Sequence, residues 1–311
     1  MNKIVEWFFL AFKSVDNIFS LMLFRLGIIN EMIIRTKTLG DFKVKNNKNK
    51  ILIIISILKF QVECLNENVS SNKISEFKNF INQVIEDREI LSLENIQFFN
   101  SNINVLFEGF FDEGNVPFSS TLKNQVIIDI GGNIADTALY FASQDATVYA
   151  FEPVPPIYEL ALKNIDLNPN LKEKIHYYNK AVSGEDGKLE ISFEGDGQSE
   201  ASSTYIKKGK IYEVDCISLD NVIRKLKDQN INPTLLKLDC EGSEYDIIPN
   251  SDLSIFNEII VEHHQMFTGI DYNVLIDDLK NQGFKIYKIF SWGGYNIEEL
   301  GLIRAIKINS G

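Results

Sequence analysis

One stretch limits the fold of this chain more than any other: Val126-Ile-Ile-Asp129-Ile-Gly131-Gly132-Asn133. Its four apolar, β-branched residues around a single acid predict a strand buried on both faces, as in a parallel sheet. The run stops at a glycine pair, and a helix-compatible segment from Ala135 to Ser143 follows at once. A strand, a tight glycine turn and a helix bring backbone N–H groups and a positive helix end beside one carboxylate, Asp129. A second strand, Thr147 to Phe151, ends in Glu152, twenty-three positions after Asp129. An acid at that distance, on the tip of the next strand, is placed to accept both hydroxyls of a ribose. The stretch predicts a nucleoside site.

A dinucleotide needs G-x-G-x-x-G, whose second glycine lets the backbone approach a pyrophosphate. Gly131-Gly132-Asn133-Ile134-Ala135 lacks that spacing, and Asp129 would meet a pyrophosphate with like charge. S-adenosyl-L-methionine carries no phosphate but has an ammonium and a sulfonium, and an acid on the first strand suits it. The nicotinamide alternative, an NAD-dependent oxidoreductase, stays open as the weaker reading.

A chain of 311 residues holds one large domain or two modest ones. Its net charge of −12, from 31 basic and 43 acidic residues, repels a phosphate backbone, and no basic stripe offsets it. A nucleic-acid partner is therefore not expected. Cys64, Cys216 and Cys240 are scattered, with no C-x-x-C pair, which supports neither a disulfide framework nor a zinc site and favours a reducing, cytoplasmic setting. Near the start, Ile4 to Lys13 and Ile18 to Phe24 are strongly apolar, but Glu6, Lys13, Asp16 and Arg25 interrupt them. No uncharged run reaches the ~18 residues of a membrane span. Nothing there resembles a signal peptide, since Glu6 falls in the apolar run and no small-residue cleavage site follows. The segments predict amphipathic helices docked on the protein's own body; the sharper alternative is peripheral contact with a membrane surface.

Met1 to about Ser120 is expected to be an accessory, partly β region, and residues 121–311 a second domain. In the first, Met32 to Lys59 has the look of β structure, although Ile51 to Leu58 fits a buried strand or a helix equally well. Asn66 to Glu94 has helical spacing, and Asn104 to Phe107 is expected as a strand. From Asn124 onward strands and helices alternate, which implies right-handed crossovers and a mostly parallel sheet. A helix from Pro156 to Asn168 leads to a third strand, Ile175 to Val182. Leu189 to Phe193 and Ile211 to Cys216 form an inserted antiparallel pair, joined by a Gly/Ser-rich segment, Gly195 to Gly209, expected as a mobile loop. Further strands are expected at 234–239, 258–262, 284–289 and 302–308, with helices at 220–229 and 274–282.

The fourth of these strands ends Lys237-Leu-Asp239-Cys-Glu241-Gly-Ser-Glu244. Side chains two apart on a strand share a face, so Asp239 and Glu241 are expected to point together at the cofactor edge. The fifth strand ends Glu262-His263-His264, with two of the chain's three histidines. Carboxylates and an imidazole at neighbouring strand tips suit proton abstraction from an acceptor or a hard divalent metal. The plainer alternative is that Asp239 and Glu241 cap the following helix. His264, two positions after Glu262, is favoured over His263 as a neutral imidazole base; His263 and His176 are expected to be structural.

The series Asp129-Ile-Gly-Gly-Asn133-Ile-Ala-Asp136, Phe151-Glu152-Pro153, Leu219-Asp220, Lys237-Leu-Asp239-Cys-Glu241-Gly-Ser-Glu244 and Val261-Glu262-His-His264 resembles the FkbM-type methyltransferase family. The resemblance covers about the C-terminal three-fifths of the chain. It implies an α/β, Rossmann-like class I methyltransferase fold with a seven-stranded, mostly parallel sheet and helices on both faces. It also implies S-adenosyl-L-methionine as donor and a hydroxyl oxygen, on a sugar or glycan, a lipid or another small metabolite, as acceptor. Two positions depart from the family: Gly132, usually Ala, and Ala135, usually Gly. On this reading Asp129, Gly131 and Asn133 line the methionine moiety, Glu152 holds the ribose, and the backbone ending at Ser183 flanks the adenine. Asp239, Glu241 and His264 form the catalytic set, acting as a simple base or around a divalent ion such as Mg²⁺. A binding protein that keeps the fold without catalysis is the rival from another class.

Overall fold

The computed structural model describes residues 18–46, 49–66, 69–100, 103–111, 121–195, 200–203, 209–290 and 296–308. The chain divides into two compact units, Met1–Phe111 and Asp112–Gly311.

In the first unit, helix α1 (Ile18–Arg25) precedes an antiparallel hairpin of β1 (Glu31–Arg35) and β2 (Asp41–Lys45). Both hairpin strands alternate exposed and buried positions, so only Met32, Ile34, Phe42 and Val44 face inward. Then come α2 (Lys50–Asn66), α3 (Ser71–Ile85), a second hairpin of β3 (Ile90–Leu93) and β4 (Ile96–Phe99), and α4 (Ile103–Phe111). One open alternative is decided here and one expectation corrected. Ile51 to Leu58 lies within the helix α2, whose buried residues Ile53, Ile54, Ile57, Leu58 and Phe60 recur at helical spacing. Asn104 to Phe107 is likewise helical, with Ile103, Leu106, Phe107 and Phe111 on one stripe. The helices meet in an aromatic cluster in which Phe60 stacks on Phe77 at 4.1 Å and Phe111 meets Phe77 edge-on at 5.3 Å. Buried Gln61 fastens the first hairpin, accepting from the Thr38 and Leu39 amides and donating to the Thr38 hydroxyl. No described helix is long and apolar enough to cross a membrane. Ile4 to Lys13, expected as an amphipathic helix, lies outside the described residues.

The second unit is built on β5 (Val126–Ile130), α5 (Asp136–Ser143), β6 (Thr147–Phe151), α6 (Pro155–Asp166), α7 (Pro169–Lys172) and β7 (Ile175–Tyr178). An insertion follows: β8 (Ala181–Ser183), β9 (Gly187–Gly195), β10 (Glu200–Ser203) and β11 (Lys210–Ser218). The chain then resumes with α8 (Leu219–Lys227), β12 (Leu235–Leu238), α9 (Glu244–Ile247), β13 (Glu258–His263), α10 (Gln265–Thr268), α11 (Asn273–Asn281), β14 (Phe284–Phe290) and β15 (Gly301–Lys307). Seven strands form one sheet in the order β14-β15-β13-β12-β5-β6-β7. Six run in the same direction, and β15 alone is antiparallel, inserted between β13 and β14. Nearly all residues of β5, β12 and β13 are buried, which is why they read as continuous apolar runs rather than alternating ones.

The expected third strand, Ile175 to Val182, is two strands in two sheets. The break falls at Asn179, whose side-chain amide donates to the Glu152 and Pro153 carbonyls and turns the chain out of the large sheet. β8 then pairs parallel with β11 in a four-stranded sheet ordered β10-β9-β11-β8. Of the segment expected as a mobile loop, residues 200–203 are the edge strand of that sheet, and 196–199 and 204–208 lie outside the described residues.

Candidate active site

The turn after β5 is shaped by what its glycines must avoid. Gly131 has φ +82°, and a Cβ there would overlap the Asp239 carbonyl oxygen at the end of β12. Glycine is required twice over, for the left-handed backbone and for the close approach of the neighbouring strand. At Gly132 a Cβ would lie 2.6 Å from the Tyr177 hydroxyl and 3.1 Å from its ring. That hydroxyl donates to the Asn133 carbonyl at 2.7 Å, so a tyrosine on β7 occupies the space that the family's usual alanine would need. Ala135, by contrast, sits at φ +65°, ψ +23°, a left-handed conformation that costs an L-residue ~1–2 kcal/mol. Ala135→Gly is therefore expected to be neutral to stabilising by up to ~1 kcal/mol, the strain relieved exceeding the entropy glycine adds to the unfolded chain. Urea unfolding of the two proteins checks it; a loss above ~1 kcal/mol would show that the methyl group packs rather than strains.

Glu152 joins the tip of β6 to this turn. Its Oε2 accepts from the Asn133 amide at 3.1 Å and its Oε1 from the Val154 amide at 2.8 Å. Asp129, Gly131, Asn133 and Glu152 thus lie together at the carboxyl ends of adjacent strands. Asp129 is fully buried and already engaged: the Thr137 hydroxyl donates to its Oδ2 at 2.6 Å, and Lys237 Nζ lies 3.3 Å from its Oδ1. The same ammonium lies 3.4 Å from Asp239 Oδ2. Burial works against its charge, but Asp129, Asp239 and Asp136 outweigh burial and hold the Lys237 pKa well above the usual lysine value. Burial also pushes the Asp136 carboxyl up to about 7. Ser183 is placed apart, in the second sheet, where its hydroxyl closes a local turn with Glu185.

Asp239, Glu241 and His264 do come together, though by another route than strand alternation. β12 ends at Leu238, and Glu241 has a left-handed φ of +55°, so the two acids leave the strand on an irregular turn. Neither caps α9, whose first turn has no side-chain cap. His264 also lies past the end of its strand, with φ −116° and ψ +57°. Its Nε2 faces Glu241 Oε2 at 3.6 Å, Glu262 Oε1 at 3.6 Å and Asp239 Oδ1 at 3.9 Å.

Glu244 is the residue that the reading of strand periodicity missed. It is fully buried, and its Oε1 accepts from the His264 amide at 2.7 Å and lies 3.1 Å from His264 Nδ1. Its Oε2 accepts from the Gly242 amide at 2.9 Å, tying the turn to the histidine. The signal available in sequence was the acid itself, a Glu between Ser243 and Tyr245 at the start of a helix. With so many acids around it, His264 differs from the neutral base expected. Burial favours the neutral ring, but Glu241, Glu244 and Glu262 outweigh it and hold the pKa well above that of a free imidazole. Glu241 shares the strain, its carboxyl pushed up to about 7 by burial. His263 stacks on Tyr272 at 4.7 Å and His176 on Tyr149 at 4.5 Å, both as packing groups.

A seven-stranded sheet of this order, with one antiparallel strand next to the edge and a glycine turn at the tip of its central strand, defines the Rossmann-like class I methyltransferase fold. The chain belongs to the methyltransferase FkbM domain family, which it matches over residues 129–286. It is 26% identical over 160 residues to the hexuronic acid methyltransferase AglP of Haloferax volcanii, covering 51% of this chain and 64% of that relative's length. Among solved structures, methyltransferase FkbM from Methylobacillus flagellatus KT matches at 13% identity and TM-score 0.44, covering 83% of this chain and 61% of that one. TrmK of M. capricolum in complex with S-adenosyl-homocysteine matches at 16% identity and TM-score 0.37, covering 60% of this chain and 64% of that one.

Proposed function

We propose that this protein transfers the methyl group of S-adenosyl-L-methionine to a hydroxyl oxygen on a glycan or other small metabolite. The observation that carries the reading is the contact between Gly131 and the Asp239 carbonyl, which sets the donor turn and the carboxylate–histidine cluster edge to edge. The turn at Gly131 and Asn133 holds the methionine end of the donor and Glu152 its ribose, with the backbone ending at Ser183 beside the adenine. Asp129 acts at one remove, as the counter-charge of Lys237. Asp239, Glu241 and His264 orient the acceptor, and the carboxylates draw off its proton as the methyl group transfers in line, positioning supplying most of the acceleration. The name of the haloarchaeal relative supports a sugar-bearing acceptor, and a chain of net charge −12 is poorly suited to a nucleic acid.

Calorimetric titration with S-adenosyl-L-methionine, and with NAD as the contrast, tests the donor. Glu152→Ala should weaken donor binding by roughly ten- to a hundredfold, the loss of charge-assisted bonds worth ~1.5–3 kcal/mol each at most. Parental affinity in that variant would take Glu152 out of the site. Release of S-adenosyl-homocysteine in the presence of hydroxylated sugars tests the transfer. Donor binding without turnover on any hydroxyl acceptor would leave a binding protein of the same fold. Mass spectrometry of a deletion strain, searching for metabolites lighter by one methyl group, identifies the acceptor.

A further inference from the structure

The geometry points to a divalent-cation site formed by Asp239 Oδ1, Glu262 Oε1 and His264 Nε2. One donor atom from each of these residues lies within 4.8 Å of the other two. It deepens the reading of this cluster as the acceptor end of the site, and it selects Glu262, from the tip of β13, as the second carboxylate ligand in place of Glu241.

Three observations carry it. First, His264 is oriented as a ligand is. Its ring is 2% exposed and stacked on Phe267, and its Nδ1 is held by the buried Glu244 carboxylate. A carboxylate on one ring nitrogen fixes the tautomer and presents the other nitrogen outward, the usual support of a metal-bound imidazole. Second, that other nitrogen makes no hydrogen bond among the described residues. Its neighbours Asp239, Glu241 and Glu262 stand at 3.6–3.9 Å, beyond hydrogen-bond range. Third, those separations suit ligands sharing an ion. Metal–ligand bonds of about 2.0–2.2 Å give edges of roughly 3.0–3.5 Å between neighbouring ligands. The two edges from His264 Nε2, at 3.6 and 3.9 Å, are within several tenths of an ångström of this, and the carboxylate–carboxylate edge is no longer than 4.8 Å. Lys237 does not fill the place, because its ammonium is committed to Asp129 and the other oxygen of Asp239.

Two carboxylates and one imidazole form a hard-to-borderline set that suits Mn²⁺ or Mg²⁺ and leaves coordination positions open. An acceptor hydroxyl bound at an open position is acidified by the ion, and its proton passes to solvent or to a neighbouring carboxylate as the methyl group arrives. Glu241, outside the ligand set, has its Oε2 3.6 Å from the same histidine nitrogen and is such a carboxylate.

Mn²⁺ alone is the probe, added to the full chain and followed by electron paramagnetic resonance. One ion per chain should bind saturably below about 1 mM, and spin-echo spectra should show modulation from a coordinated ¹⁴N. Glu262→Gln and Asp239→Asn should each weaken Mn²⁺ binding by at least about tenfold, and His264→Gln should abolish the nitrogen modulation. Asp277→Asn, on the exposed face of α11, should bind like the parent. Asp239, a third exposed, keeps the test available if the buried substitutions fail to fold. No bound Mn²⁺ at about 1 mM, binding without nitrogen modulation, or parental affinity in Asp239→Asn would each overturn the site. Donor binding and methyl transfer that persist in EDTA would do the same while leaving the proposed function standing.

Discussion

Gly131→Ala is expected to abolish binding of S-adenosyl-L-methionine and to destabilise the domain by ~2–5 kcal/mol. The added methyl group would overlap the backbone carbonyl of Asp239, and backbone has no rotamer to escape into. Overpacking of this kind costs ~1–3 kcal/mol or more, and the left-handed φ of +82° adds a further ~1–2 kcal/mol. Relief requires β5 and the turn after β12 to separate, which opens both halves of the site at once. Urea unfolding and donor titration on the same preparation check the two effects. A variant of parental stability that binds the donor would mean the strands part easily. The Gly132 site should be far more forgiving, since there the obstacle is the end of a tyrosine side chain rather than a peptide.

Glu244→Ala is expected to be nearly as damaging, for a different reason. The substitution leaves the His264 amide, the His264 ring and the Gly242 amide without their shared acceptor inside the protein. Unsatisfied buried donors cost ~1–3 kcal/mol each, so a loss of ~3–5 kcal/mol is expected, together with turnover reduced by at least ~10²-fold. Glu244 belongs to the acceptor side, so donor affinity should change by less than about threefold. Glu244→Gln, which keeps an acceptor oxygen for the histidine but loses the carboxylate's second one, should fall between. Equal losses of donor affinity and turnover would show that Glu244 supports the whole domain rather than the histidine.

The large sheet was legible because its strands are buried on both faces and separated by helices, so that each run stood out against its flanks. Asp129, Glu152, Asp239 and His264 were legible as acids and an imidazole at strand tips. The first unit was harder to read, and the reason is its aromatic cluster. α2 and α4 are apolar on more than one side because phenylalanines pack around them, and that erases the polar stripe by which a helix is recognised. Ile175 to Val182 failed differently: its β-compatible residues on both sides of Asn179 gave no sign that the Asn179 side-chain amide would turn the chain into another sheet. Around Asp239 the period of two was carried past the end of the strand. It placed Asp239 and Glu241 correctly near His264 for a reason the left-handed Glu241 removes, and it passed over Glu244, which only a folded turn brings to the histidine.

The ion pair between Lys237 and Asp129 has a further consequence, for how the two central strands find their alignment. Asp129 and Lys237 are direct partners across the parallel pair β5–β12. The other residues of β12 are leucines and those of β5 are isoleucines and a valine, with both faces of the sheet covered. Hydrophobicity is therefore nearly blind to a one-residue slip, which would exchange the faces and still bury apolar side chains. The slip would, however, send the ammonium to one face and the carboxylate to the other, each buried without its counter-charge, at a cost of several kcal/mol. One charged pair thus acts as a key that rejects misaligned pairings of segments more than a hundred residues apart, and the alignment it selects is the one that lays the Asp239 carbonyl against Gly131.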